Sequence, residues 1–293
     1  MPHFMDSFNN LIKRLVKAMD VPNLKIPAAG VRIFKKDEKV PKEVMKYQLD
    51  GIAITSCHAM RTTMLGDAVY LTMDSIGCIA AAISLGLVDK NQSSPLEGSR
   101  EYTEIMKEKS GKGDSFIPPS PLKFTDGTVY ACNDSRKEDF TLFGKDDSGR
   151  YVKKEVARQA VSEMLSLQPP TTQGVFYFSP NFEDTKITPD VVVLSLRPVE
   201  LCRVIQGYQF LTGNRVRADV GGVRAGCSDL IVRPYLLGEI NFSPYCVGAR
   251  LIARFEGDRM GIGFPFSFLE MIVKGTEESK TGFPFPEYPD ACV

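Results

Sequence analysis

Runs of β-branched residues bounded by proline and glycine alternate with helical periodicities along most of this chain, and that alternation leaves little open besides an α/β sheet. Strands are predicted over Val31–Phe34, Ile52–Thr55, Ala68–Thr72, Val175–Ser179, Val191–Leu196, Arg215–Asp219 and Ala249–Phe255. Helices are predicted over Phe8–Met19, Cys57–Leu65, Ile76–Leu87, Lys154–Leu167, Val199–Leu211, Cys227–Leu237 and Phe266–Val273. The expected fold is α/β, a mixed sheet with flanking helices.

The regular pattern loosens between Asn91 and Ser148, where Pro95, Pro118, Pro119 and Pro121 and many charges surround one helical stretch near Tyr102–Lys109. The organisation read from this is an N-terminal α/β half over 1–90, an irregular insertion over 91–150 and a C-terminal α/β half over 151–293, with one compact domain as the alternative. Ile76-Gly77-Cys78 and Ala225-Gly226-Cys227 each open a helix, an echo that suggests two similar halves. The glycines that follow, Gly86 and Gly238, fall at different spacings, so the echo does not establish a duplication.

Composition narrows the function classes. Lysine plus arginine equals aspartate plus glutamate at 36 each, so no net field draws in nucleic acid or an anionic membrane surface. The first helix places Phe8, Leu11, Ile12, Leu15, Val16 and Met19 on one face, interrupted by Lys13, Arg14 and Lys17, which fits a packing helix and not a leader. No apolar run approaches the roughly 20 residues of a membrane span. Seven cysteines, an odd number without a CxxC pair, argue against a secreted disulfide framework and a local zinc ribbon. A cytoplasmic protein with reduced thiols is expected, acting on a small-molecule ligand, without nucleic-acid or membrane partners and compatible with a homo-oligomer.

The chemistry is expected at Cys57, Cys78 and Cys227. Each follows a strand or a glycine-bearing turn and opens a helix, where unpaired amides and the positive dipole end stabilise a thiolate. The bland alternative is that a cysteine is a small buried apolar residue. Cys202 is read in that way, as core inside the helix carrying Leu201, Val204, Ile205 and Tyr208, whereas Cys132, Cys246 and Cys292 have no supporting context. His58 adjoins Cys57, but neighbours on a helix point about 100° apart, which disfavours a direct Cys-His pair. Gly221, Gly222 and Gly226, with Arg224 among them, form a turn of the general kind that cradles an anion. The turn matches neither nucleotide-binding glycine signature, and Arg215, Arg217 and Arg233 nearby are equally at home on a surface.

Several blocks together resemble the domain-of-unknown-function 169 family of anaerobic bacteria and archaea. They are Ile26-Pro27-Ala28-Ala29-Gly30-Val31, Cys57-His58-Ala59-Met60-Arg61, and Asp74-Ser75-Ile76-Gly77-Cys78 running on to Gly86. Pro189-Asp190-Val191-Val192-Val193, Gly226-Cys227, Arg233-Pro234-Tyr235 and Gly261-Ile262-Gly263-Phe264-Pro265 follow in the family's order. The resemblance implies that Cys57, Cys78 and Cys227 belong together as motif cysteines, and it implies no reaction.

Three thiolates without partnering histidines suit an iron–sulfur cluster, or zinc, more than a hard cation. The leading expectation is therefore a metal-cofactor protein holding an iron–sulfur cluster through Cys57, Cys78 and Cys227, open to ligand sensing or Lewis-acid chemistry. The alternatives are a non-catalytic binding protein for an organic anion or a tetrapyrrole-like cofactor at the glycine turn, and a thiol enzyme whose nucleophile is Cys57 or Cys227.

Overall fold

The computed structural model describes residues 6–21, 24–50, 52–87, 159, 163–167, 171–182, 187–222, 224–246, 249–250 and 253–279. The readings over Asn91–Ser148, most of the helix read at Lys154–Leu167, and Cys132 and Cys292 lie outside them. Among the described residues there are six strands: β1 (Ala28–Lys35), β2 (Ala68–Thr72), β3 (Thr172–Phe178), β4 (Val191–Leu196), β5 (Asn241–Ser243) and β6 (Met260–Pro265). They form one sheet in the order β2-β3-β1-β4-β6-β5. The α/β class is thus as read from the sequence. The β1–β4, β4–β6 and β5–β6 pairs are all antiparallel, and the parallel bridges Gln48–Tyr70 and Ile54–Ile76 lie outside the named strands.

The helices are α1 (Phe8–Ala18), α2 (Lys42–Met45), α3 (Ser56–Met64), α4 (Ile79–Ser84), α5 (Pro198–Thr212), α6 (Arg233–Leu237) and α7 (Leu269–Glu278). A π-helix, Ala225–Val232, runs directly into α6, and a 3₁₀ turn, Phe266–Phe268, precedes α7. Among the described residues no helix is long and apolar enough to cross a membrane.

The chain divides into two compact units that interleave along the sequence. One comprises Met1–Arg32, Cys57–Val69 and Phe176–Val293, and the other Ile33–Ser56 and Tyr70–Val175.

In the first unit β4 is buried at all six positions, and its register sets Val191 against Val31 of β1 and Pro265 of β6. A strand paired on both edges and covered on both faces reads as a continuous apolar run, which is why Val191-Val192-Val193-Leu194 shows no alternation. α1 buries Phe8, Leu11, Ile12 and Leu15, begins on a Ser7 side chain that accepts from the Asn10 amide, and sets Phe8 edge-on to Phe178 and Phe266. Arg14 ties the far side of α1 to Asp6 and to Glu277 of α7, at 2.5 and 2.7 Å.

α5 and α7 meet at glycine. A Cβ on Gly275 would collide with the Gly207 carbonyl, and one on Gly207 would meet Thr276 and the Ile272 carbonyl. The buried stripe of α5 is therefore Glu200, Leu201, Arg203, Val204 and Gly207, with Arg203 donating to the carbonyls of Thr276 and Ser279. This rotates Cys202 outward. Cys202 is exposed, not core as its apolar neighbours suggested.

In the second unit, Lys36 N–H donates to the Thr171 carbonyl, Leu167 N–H to Ser84 and Thr172 N–H to Gly86. Tyr70 lies edge-on to Phe34 at 6.0 Å, and burial pushes its hydroxyl up to about 12. The stretch read as a strand at Ile52–Thr55 makes only the single bridge of Ile54 to Ile76, reinforced by Gly77 N–H on the Ile54 carbonyl at 2.8 Å. The helix expected from Ile76 starts instead at Ile79, because that bridge holds Ile76 extended and leaves Cys78 as the extended N-cap of α4.

The α5–α7 crossing has no room for a methyl group. Gly275→Ala is expected to destabilise the protein by about 1–3 kcal/mol, the cost of overpacking, while Cys202→Ala on the exposed face is expected to stay within about 0.5 kcal/mol. Urea unfolding of both variants checks the pair.

Candidate functional site

The first unit brings Cys57 to Gly226. A Cβ placed on Gly226 would stand 3.1 Å from Cys57 Sγ and 3.6 Å from Met60 Cε, so a larger residue would fit only if the sulfur gave way by a few tenths of an ångström. Cys57 is the second residue of α3 and Gly226 the second residue of the π-helix. Two helix beginnings therefore meet at one sulfur. Amides in the first turn of a helix lack intrahelical acceptors and carry positive partial charge, a setting that favours a thiolate over a thiol.

α3 divides its faces by i, i+3/i+4 spacing. Ala59, Met60 and Thr63 are buried, while Cys57, Arg61 and Met64 share a half-buried stripe. Arg61 thus follows Cys57 by one turn on the same side. Its guanidinium bonds Glu256 at 2.5 Å and lies 5.9 Å from the Phe255 ring centre. Phe255 in turn stacks on Tyr245 at 4.2 Å with an interplanar angle of 29°, and Arg250 covers the other ring at 5.3 Å. Arg250 also donates to the carbonyls of Pro244, Glu256 and Arg259, clamping the two loops that carry Tyr245 and Phe255.

Three non-glycine residues around this cluster have positive φ: Arg224 at 58°, Tyr245 at 66° and Arg254 at 59°. Such conformations cost free energy in L-residues and gather at functional sites. Arg224 is the N-cap of the π-helix, Tyr245 directs its ring at Phe255, and Arg254 precedes Phe255. π-helical turns are also rare and concentrate at functional positions. The Tyr245 hydroxyl and the Ser195 hydroxyl are both buried without a partner in hydrogen-bond geometry. Burial drives the tyrosine pKa far up, and the nearby Ser195 and Arg250 only partly oppose it, so Tyr245 stays neutral throughout the physiological range.

The other predicted positions separate by role. Cys227 is buried and its thiol donates to the Arg224 carbonyl at 3.6 Å, a bond that needs the proton and so disfavours the thiolate. Cys78 is half-buried and lies in the second unit, at the N-cap of α4. Cys246 is half-buried and follows Tyr245, close enough to Asp229 to act on its charge. Among the described residues no group of three or more His, Cys, Asp or Glu side chains stands where it could hold a metal ion.

At the glycine turn the Gly221 amide donates to Asp229 Oδ2 at 3.3 Å, Gly222 faces open space, and Arg224 is the left-handed N-cap of the π-helix. Asn241, fully buried, accepts from Asp219 N–H and donates to the Asp219 and Asp229 carbonyls, stitching the turn to β5. Arg233 bonds Asp219 at 2.5 Å, while Arg215 and Arg217 are exposed. No strand forms at Arg215–Asp219, because that segment is fastened by Asn241 and not by a ladder.

The sequence reading missed Tyr245, Arg250, Phe255 and Glu256. It placed a strand over Ala249–Phe255, where the structure has helical residues at 249–250 and irregular backbone at 253–255. Pro244-Tyr245 and Gly257-Asp258 at the two turns were the available signal.

Asp229 supplies a test of this arrangement. Burial raises its carboxyl to about 6, against the opposing pull of the Gly221 amide and Arg233. The folded state therefore keeps a proton that the unfolded chain releases near pH 4, so this group's contribution to stability declines as pH rises from about 4 to 6. Asp229→Asn retains an acceptor for Gly221, and the variant is expected to lack this decline and to be at least as stable as the wild type at pH 7. Denaturant unfolding at intervals from pH 4 to pH 7 reads the difference.

A family model described as uncharacterised ArCR matches residues 19–275. An uncharacterised protein of Methanocaldococcus jannaschii is 20% identical over 270 residues, covering 92% of this chain and 94% of the relative. No solved structure gives a significant match.

Proposed function

From the premise that this chain belongs to the domain-of-unknown-function 169 family, whose match reaches across Cys57, Cys78 and Cys227, we propose that it is a thiol-dependent protein with Cys57 as its nucleophile. The observation that carries this reading is the meeting of two helix beginnings at Cys57 Sγ, with Gly226 cleared of a side chain to permit it. Thiol chemistry needs one sulfur in an electropositive, partly accessible setting, and Cys57 is half-buried with Arg61 one turn away. Of the two candidate nucleophiles, Cys57 is preferred because the Cys227 thiol is buried and spends its proton on the Arg224 carbonyl.

The chemistry follows from the surroundings. The Cys57 thiolate would add to a carbonyl carbon of a small molecule, forming a C–S bond as the C=O π pair moves onto oxygen, where the first-turn amides of α3 and the π-helix would stabilise the negative charge. Arg61, anchored by Glu256 and the Phe255 ring, would orient an anionic group of the same molecule. The Tyr245–Phe255 stack gives the arginines a rigid backing.

Iodoacetamide labelling followed by mass spectrometry tests the proposal. Cys57 is expected to label fastest, with half-maximal rate below the ordinary thiol value of about 8.5, and Arg61→Gln is expected to move that midpoint upward. Cys227 is expected to label slowly at every pH. An ordinary Cys57 profile would overturn the reading, as would iron and acid-labile sulfide lost equally in Cys57→Ala, Cys78→Ala and Cys227→Ala.

A further inference from the structure

At the opposite end of α3 from Cys57, the first unit holds a second site. A cavity of about 470 Å³ is walled by α1, the end of α3, the approach to β1 and the turn after β3. That volume lies in the range of small-molecule pockets, roughly 300–1,000 Å³. Its floor and sides are largely apolar, with Ile12 and Ile26 among them, and Leu65, 71% exposed, stands at its rim.

Lys13 and Lys25 line the cavity, and among the described residues no aspartate or glutamate does, so the charged groups described in its lining are of one sign, beside the neutral Asn9 and Asn181. Among the described residues neither lysine is paired with a carboxylate. Thr63, also in the lining, is 0% exposed and its hydroxyl has no hydrogen-bond partner. A buried hydroxyl left unsatisfied costs free energy unless something occupies the space beside it. At the end of α3 the carbonyls of Arg61, Thr62 and Thr63 already accept from Leu65, Asp67 and Gly66.

We propose that this cavity binds a small organic anion with an apolar body, its acid group held by Lys13 and Lys25 and its apolar part laid along Ile12, Ile26 and Leu65. Thr63 supplies a neutral hydrogen bond from the cavity wall. The site is independent of the thiol chemistry assigned to Cys57, about 9 Å away along the axis of α3 at 1.5 Å per residue.

Calorimetric titration of the full chain with octanoate, octan-1-ol, octylammonium and acetate tests the proposal. Octanoate is expected to bind at least about tenfold more tightly than acetate or octylammonium. The double variant Lys13→Gln, Lys25→Gln is expected to weaken octanoate about tenfold or more while leaving octan-1-ol unchanged. Thr63→Val, nearly isosteric, is expected to weaken octanoate by a smaller factor without loss of folding. Octanoate affinity equal to that of acetate, or unchanged in the double variant, would overturn the assignment, and so would an absence of octanoate binding. Cys57→Ala should leave octanoate affinity unaltered; a parallel loss would also overturn it, by showing that octanoate binds elsewhere.

Discussion

Everything described of the first unit hangs on β4, a strand buried along its whole length and paired on both edges. A strand with no polar face fixes its neighbours by hydrogen bonding and by covering layers together, so β1 and β6 must lie beside it and helices must close over it. β6 meets that demand with glycines. A Cβ on Gly263 would collide with the backbone of Leu230, so the π-helix packs directly onto the strand. The π-helix is consequently buried at seven of its eight positions and its start is held at a fixed place in the fold.

From that placement the site follows. The beginning of the π-helix meets the beginning of α3, and the contact is a bare glycine facing a sulfur. The same unit then spends backbone strain at Arg224, Tyr245 and Arg254 to wrap aromatic and guanidinium groups around the junction. Strain of this kind persists only where the surroundings over-determine it. Here the clamps are named: Arg250 on three carbonyls, Asn241 on Asp219 and Asp229, and Arg61 on Glu256.

What could be read from the sequence was the local part. The apolar run of β4, the periodicity of α1 and the helix openings at Cys57, Cys78 and Cys227 all lie in adjacent residues, and each reappears with shifts of a few positions. β5 and β6 were not legible as strands, since Met260-Gly261-Ile262-Gly263 is poor in β-formers and its glycines are there for the helix that packs on them. Cys202 misled because the stripe of α5 is set by the Gly207–Gly275 crossing and a buried Arg203, neither of which hydropathy anticipates. The cluster of Tyr245, Arg250, Phe255 and Glu256 depends on left-handed backbone at bulky residues, which no propensity favours. The glycine turn looked like an anion cradle because glycine exposes amides, yet the Gly221 amide is taken by the chain's own Asp229.

The central claim is that the Gly226 contact places Cys57 where its sulfur is activated, and Gly226→Ala addresses it most directly. The added methyl would stand 3.1 Å from Cys57 Sγ, closer than ordinary packing. The alkylation rate of Cys57 at neutral pH, measured against Cys78 in the same molecule, is expected to fall several-fold while the Cys78 rate stays unchanged. Equal rates for Cys57 in the wild type and in a folded Gly226→Ala variant would contradict the account.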